Sequence, residues 1–142
     1  MKDANIDSIT SLLLQISKLI VQQSNISYEE RASTHLQMHV LSFLEKNPKA
    51  TSSDIAKYIN ASLSSIAQLT DRLEKAGYIE RAGDANDRRI IHISLTEEGE
   101  NHLKQMRKAK LERMKTLFAN IDEHDEKELI RIFEKILANL KK

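Results

Sequence analysis

Apolar residues recur at three- and four-residue intervals from the start of the chain: Ile6, Ile9, Leu12, Leu13, Ile16, Leu19 and Ile20. That period sets them on one stripe of a helix running to about Gln23. After a polar stretch, Thr34 and Gln37 have the spacing of a capping box, and Leu36, Val40, Leu41, Phe43 and Leu44 supply an apolar face behind them. This second helix is expected to stop before Pro48, because the residue preceding proline is pushed out of helical geometry. Thr51 and Asp54 predict the cap of a short third helix with Ile55, Tyr58 and Ile59 facing inward. Beyond the Asn60-Ala61 turn, Ser62 predicts the cap of a fourth helix. Its buried stripe is Ile66, Leu69, Leu73 and Ala76, and Gly77 stands where a left-handed C-terminal residue is wanted.

The period then changes. Tyr78 to Arg81 and Ile90 to Leu95 read as two strands joined by a polar turn, so a β-hairpin is expected. Thr96 predicts the cap of a fifth helix with Glu97 and Glu98 in its first turn, where acidic groups suit the helix dipole. Leu103, Met106, Leu111, Met114, Leu117 and Phe118 give that helix a long, sparse stripe. A last helix carries Leu129, Ile130, Ile132, Phe133, Ile136, Leu137 and Leu140. The fold class is therefore mainly α with a small β component (α+β).

Composition narrows the picture without naming a chemistry. A length of 142 residues suits one domain with helical extensions, and 4% aromatics with a single proline favour an aliphatic, helical core. With no cysteine there is no disulfide, thiol switch or thiolate metal site, which fits a reducing cytoplasm. Asp3 and Asp7 stand where a signal peptide would be basic, and Ser11, Gln15, Ser17 and Lys18 interrupt the first apolar run, so neither a leader nor a membrane span is expected. No Gly-rich phosphate loop, nucleophile motif or spaced carboxylate cluster suggests an enzyme or a bound cofactor. The formal charge is only +1, so any nucleic-acid contact must come from local placement.

Such placement exists. Two short helices joined by a tight turn and followed by a hairpin make a winged helix-turn-helix, in which one helix enters the major groove and the hairpin reaches the narrower groove beside it. On the fourth helix Ser64, Ser65, Gln68 and Arg72 lie opposite the buried stripe. Gln68 can pair bidentately with adenine, and Arg72 can reach phosphate or guanine. Thr51 and Ser62, at the helix starts, complete the candidate contacts there. In the hairpin turn, Asp84, Asp87, Arg88 and Arg89 fall within six positions. An arginine entering a minor groove gains from its negative potential, while fixing the side chain costs about 2 kcal/mol of rotamer entropy. A neighbouring aspartate lowers that cost, so Asp87 is expected to brace Arg89 or Arg88 while Asp84 shapes the turn.

Residues 69–99, LTDRLEKAGYIERAGDANDRRIIHISLTEEG, closely resemble the MarR (multiple antibiotic resistance regulator) family of transcription factors. Asp71-Arg72-Leu73-Glu74 before Gly77, the wing pattern Asp84-x-x-Asp87-Arg88-Arg89, and Leu95-Thr96-Glu97-x-Gly99 stand in the family's order. Thr34-x-x-Gln37 with Val40-Leu41, and Thr51-x-x-Asp54-Ile55-Ala56, extend the match upstream. Asn86 departs from the pattern, standing where the family often has arginine.

The resemblance implies one integrated domain: an N-terminal dimerisation helix and linker over 1–33, the winged helix-turn-helix over 34–98, and C-terminal dimerisation helices over 99–142. It implies a homodimer on a pseudo-palindromic double-stranded DNA operator with half-sites one helical turn, ~34 Å, apart. Arg89 would enter the minor groove with Asp87 beside it. It further implies a repressor in the bacterial cytoplasm, associated with the nucleoid when on DNA, and released by a small aromatic or phenolic effector. His35, Met38 and His39 are candidates for that effector's pocket. The terminal helices independently favour a dimer, since they carry more aliphatic surface than a monomer of this length covers. Lys104, Arg107, Lys108, Lys110, Arg113 and Lys115 form a basic run expected to be a solvated face.

Two alternatives stay open. His35 and His39, one helical turn apart, could both ligate a metal in a metal-responsive regulator, although the sequence offers no second ligand pair and no metal residue is assigned. Between Asp54 and His92, Lys57, Arg72, Lys75, Arg81, Arg88 and Arg89 are matched by as many acids, which keeps a winged-helix protein-interaction module in view.

Overall fold

The computed structural model describes residues 2–142. Its elements are α1 (Asp3–Gln23), α2 (Tyr28–Lys46), α3 (Ser52–Ile59), α4 (Leu63–Lys75), β1 (Ile79–Gly83), β2 (Ile91–Leu95), α5 (Glu97–Leu117) and α6 (Glu123–Leu140). They form two compact units, Met1–Leu103 and Lys104–Lys142, divided within α5.

Local chemistry accounts for most helix ends. The Thr51 hydroxyl accepts from the Asp54 N–H at 3.2 Å, and the Asp54 carboxylate accepts from the Thr51 N–H at 3.0 Å, closing the capping box of α3. Asn60 ends the helix in the left-handed region at φ 61°, which a short amide side chain tolerates. Ser62 caps α4 by accepting from the Ser65 N–H at 3.1 Å, and Gly77 turns the chain out at φ 84°.

Three expectations are corrected. The cap of α2 is Ser27, whose hydroxyl accepts from the Glu30 N–H at 3.1 Å. Ser27-x-x-Glu30 is itself a cap signature, and it places Glu29 and Glu30 at the positive end of the helix. Thr34 lies inside the helix and donates back to the Glu30 carbonyl. Tyr58, expected inside, is 63% exposed. Its ring stacks on Phe43 with centroids 4.5 Å apart, leaving the phenol to water, and Ala56 takes the interior place. Ala76 is exposed because it caps the helix just before the chain turns. Thr70 completes the buried stripe instead, with Ile66, Leu69 and Leu73 at helical spacing.

The core of the first unit joins Val40, Leu41 and Leu44 of α2, Ile55 of α3, and Ile66, Leu69 and Leu73 of α4. Ile79 and Ile93 from the hairpin and Leu103 from α5 complete it. Each fully buried aliphatic side chain contributes about 1.5–3 kcal/mol. The strands pair antiparallel with Ile79 opposite Leu95 and Gly83 opposite Ile91. The linker between α2 and α3 joins the sheet through one rung, in which the Ile93 N–H donates to the Ala50 carbonyl at 2.7 Å.

α1 has no buried residue, and Ile6, Ile9, Leu12, Leu13, Leu14, Ile16 and Leu19 are all exposed on it. By length and mean hydropathy, 1.2, α1 reaches what a membrane crossing needs. Yet Asn5, Ser8, Gln15 and Lys18 line one face at helical spacing, whereas a lipid-facing helix is apolar all round. In the second unit α6, capped by Asp122 on the Asp125 N–H at 2.8 Å, exposes Ile130, Ile132, Phe133, Ile136, Leu137 and Leu140.

Candidate nucleic-acid interface

Burial of Ile66, Leu69, Thr70 and Leu73 turns the opposite face of α4 outward, and Ser64, Ser65, Gln68 and Arg72 are all exposed on it. Four residues in the expected reading face thus share one helix surface. The Ser62 hydroxyl is committed to the cap, donating to the Ser65 hydroxyl at 2.8 Å while it accepts from the backbone. Thr51 is likewise committed to the cap of α3 and is half-buried. Both side chains are thus engaged in helix capping, each accepting a backbone N–H of the first turn.

An arginine that sequence reasoning missed holds this helix to the wing. Arg81 on β1 reaches Asp71 with Nη2 at 2.9 Å and Glu74 with Nη1 at 2.9 Å. Nη2 also donates to the Thr70 hydroxyl at 2.8 Å, and that hydroxyl donates in turn to the Ile66 carbonyl at 2.8 Å. The Asp71-Arg72-Leu73-Glu74 run therefore divides its labour: the two acids grip β1, Leu73 is core, and Arg72 faces out. Asp71 and Glu74 at i, i+3 were the available signal, but their partner lies on another element. Arg81→Ala is expected to cost about 1 kcal/mol of stability, the size of one lost hydrogen bond to a part-buried partner. Chemical denaturation reads it, and an unchanged midpoint would deny the grip any energetic role.

In the wing turn one Asp84 oxygen accepts from the Asn86 and Asp87 N–H groups at 2.9 and 3.0 Å, an aspartate-built turn. The other lies 2.8 Å from His92 Nε2. His92 and the two amides hold the Asp84 carboxyl below the usual carboxylate value, the histidine contributing most. Of the two arginines left open as Asp87's partner, Arg89 is the one bound: its Nε and Nη2 donate to the two carboxylate oxygens at 3.2 Å each. This contact and the Arg89 N–H bond keep the Asp87 carboxyl low. The Arg89 side chain is 90% exposed, so its guanidinium is oriented yet still presented to solvent. Arg88 is exposed beside it. Gly83 is not what shapes the turn, since a Cβ there would meet nothing within 4 Å.

The proposed effector residues lie in the middle of α2. His35 and His39 are exposed, with their Nε2 atoms 3.0 Å apart, and Met38 is half-buried between them. An open groove of about 610 Å³ lies at the C-terminal end of α2, lined by Phe43, Lys46, Lys49, Lys57 and Tyr58 among others. Among the described residues no group of three or more metal-ligating side chains comes together.

The model of the MarR family matches residues 33–91. The HTH-type transcriptional regulator PapX of Escherichia coli is 30% identical over 131 residues, 91% of this chain and 79% of that protein. The crystal structure of the YusO protein from Bacillus subtilis shares the fold with a TM-score of 0.81 at 25% identity, over 97% of this chain and 98% of that one. A mutant MepR of S. aureus, solved bound to an oligodeoxyribonucleotide, has the same fold with a TM-score of 0.56 at 24% identity, over 97% and 96%. The relatives that match most of this chain are regulators of transcription rather than enzymes. The outward face of α4, the braced arginine of the wing and these likenesses lead to one conclusion: the chain belongs to the MarR family and is a transcriptional regulator with a winged helix-turn-helix DNA-binding fold.

Proposed function

We propose that this regulator is a homodimeric repressor that places two α4 helices in successive major grooves of a pseudo-palindromic operator and inserts Arg89 of each wing into the adjoining minor groove. The observation that carries the reading is the pairing of an exposed Ser64, Ser65, Gln68 and Arg72 face with a fully presented, aspartate-braced Arg89. Gln68 and Arg72 read base edges or phosphates, while Arg88 and the amides at the starts of α3 and α4 contact the backbone.

Dimerisation follows from the apolar stripes. Seven large aliphatic residues exposed on α1, and six apolar ones on α6, are more than a soluble monomer leaves uncovered. A second copy of the chain is the partner that two-fold symmetry of an operator demands. Repression is what the family resemblance implies. Release follows when a small aromatic or phenolic molecule, held near His35, Met38 and His39, favours a dimer whose reading helices no longer match one duplex. The basic run of α5 remains a solvated face on this reading.

Selection of duplexes from a random pool by the pure full-length protein tests it. The expected product is a two-fold consensus with half-sites ~34 Å apart. Affinity for it should fall steeply with salt, each phosphate contact adding about −0.9 to the slope of log K against log salt. Sedimentation should give twice the mass of the chain. A monomer, or a pool with no enriched sequence, overturns the proposal; a salt-insensitive partner would favour the protein-interaction module instead.

A further inference from the structure

We propose that His92 is the positioning residue of the wing: as the imidazolium it clamps the Asp84 turn to the α2–α3 linker, and this sets the presentation of Arg89 and makes operator affinity depend on pH. The inference rests on the DNA-binding reading above.

The clamp has two ends. His92 Nδ1 lies 2.8 Å from the Lys49 carbonyl oxygen, and Nε2 lies 2.8 Å from Asp84 Oδ1. A carbonyl and a carboxylate only accept, so both ring nitrogens must donate. A neutral imidazole carries one N–H, and in either tautomer a nitrogen lone pair would face an oxygen across 2.8 Å. The full set of contacts therefore belongs to the doubly protonated ring.

The consequence reaches the wing tip through the same bonds. Asp84, held by His92, organises the Asn86 and Asp87 amides, and Asp87 holds Arg89. At the other end the linker is joined to β2 at two successive residues, through the His92 ring on Lys49 and the Ile93 N–H on Ala50. The wing turn is thereby referred to the body of the helix-turn-helix, 43 residues away in sequence at the His92 contact.

The charged groups around the ring favour the proton. Asp84 faces it from the wing, and Asp54 of α3 feels its charge. Lys49 of the linker opposes, and Ala82, opposite His92 on β1, is neutral. The Asp84 hydrogen bond first, and the Lys49 carbonyl second, raise the imidazole above its ordinary value of 6.5. The sign follows. A raised histidine contributes fully below its ordinary value and loses the contribution as pH rises through the raised one. Asp84, depressed from 3.8, stays charged throughout that interval and fails only in acid.

The test measures anisotropy of a selected operator duplex with the full-length protein, at constant ionic strength, from about pH 5.5 to about pH 8.5. Wild-type affinity is expected to fall on the order of tenfold as the ring deprotonates, about the worth of one charged hydrogen bond lost from the clamp. His92→Gln should remove most of that fall, isolating it from the other four histidines of the chain. Asp84→Asn is the informative rescue. Its amide can donate to Nε2 of a neutral ring while its carbonyl still accepts from the Asn86 and Asp87 amides, so affinity should hold at the alkaline end. The same slope in wild type and His92→Gln, or a wild-type fall kept by Asp84→Asn, overturns the proposal. Titration of the His92 ring by NMR in the free protein is a separate readout: an ordinary midpoint overturns the clamp even if DNA binds. Absence of specific binding at every pH, with a raised midpoint that Asp84→Asn abolishes, condemns the DNA reading and leaves the clamp standing.

Discussion

Gly99→Ala is expected to unfold the winged unit at temperatures the wild type withstands, with a loss of at least ~3 kcal/mol, the upper end of ordinary overpacking. Helix propensity alone predicts the opposite, because alanine inside a helix is favoured over glycine by about 1 kcal/mol. Sterics decide the sign. A Cβ at Gly99 would lie 1.9 Å from the Tyr78 carbonyl oxygen and 2.9 Å from its carbon. That peptide cannot step aside cheaply, since Tyr78 donates to the Leu73 carbonyl at 3.0 Å and accepts from the Thr96 N–H at 3.1 Å. Thr96 is itself fixed, donating to the Gly77 carbonyl and accepting from the Gly99 N–H. Glycine thus lets α5 start against the end of α4, with the hairpin held between. Thermal unfolding followed by circular dichroism should give a midpoint about 10 °C lower or more. Gly83→Ala, which meets open space, serves as the control and should leave the midpoint nearly unmoved. Equal midpoints for the two variants would refute the packing account.

The double variant Gln68→Ala, Arg89→Ala is expected to bind the selected operator at least ~30-fold more weakly. Each side chain that reads a groove is worth about 1–3 kcal/mol of discrimination, and every 1.4 kcal/mol is tenfold in affinity. The two should not act alike. Arg89 uses its Nε–H and one Nη2–H on Asp87, which leaves three of its five donors for acceptors in the minor groove. Its loss should weaken binding most where the groove is narrow and A·T-rich. Gln68 reads the major groove, so its loss should relax preference at one position of each half-site while sparing affinity for random duplex. Asp87→Ala keeps the guanidinium but removes its brace and should fall between wild type and Arg89→Ala. Competition binding with single-base operator variants measures all three. Unaltered affinity in the double variant would dismiss this assignment of the reading residues.

The sequence by itself determined what is decided within a helical turn. Thr51 with Asp54, Ser62 before the apolar run of α4 and Gly77 at its end are all interactions between near neighbours, so spacing alone exposes them. The same locality explains the error at Thr34: two cap signatures stood seven residues apart, and Ser27, with Glu29 and Glu30 in the turn that follows, is the cap. Tyr58 and Ala76 were misplaced for a different reason. Each sits at the margin of a stripe, where the neighbouring element decides what is covered, and Phe43 and the turn at Gly77 lie outside the helical period. The Asp87 to Arg89 brace was legible because its partners are two residues apart. Arg81 on Thr70, Asp71 and Glu74, His92 on Lys49, and the approach of Gly99 to Tyr78 were not. Those contacts join residues 7 to 43 positions apart, and nothing in composition or period says which side chains a fold will bring face to face. Local order along the chain was written in the residues, whereas the orientation of the wing and the sign of a glycine's contribution were set by packing.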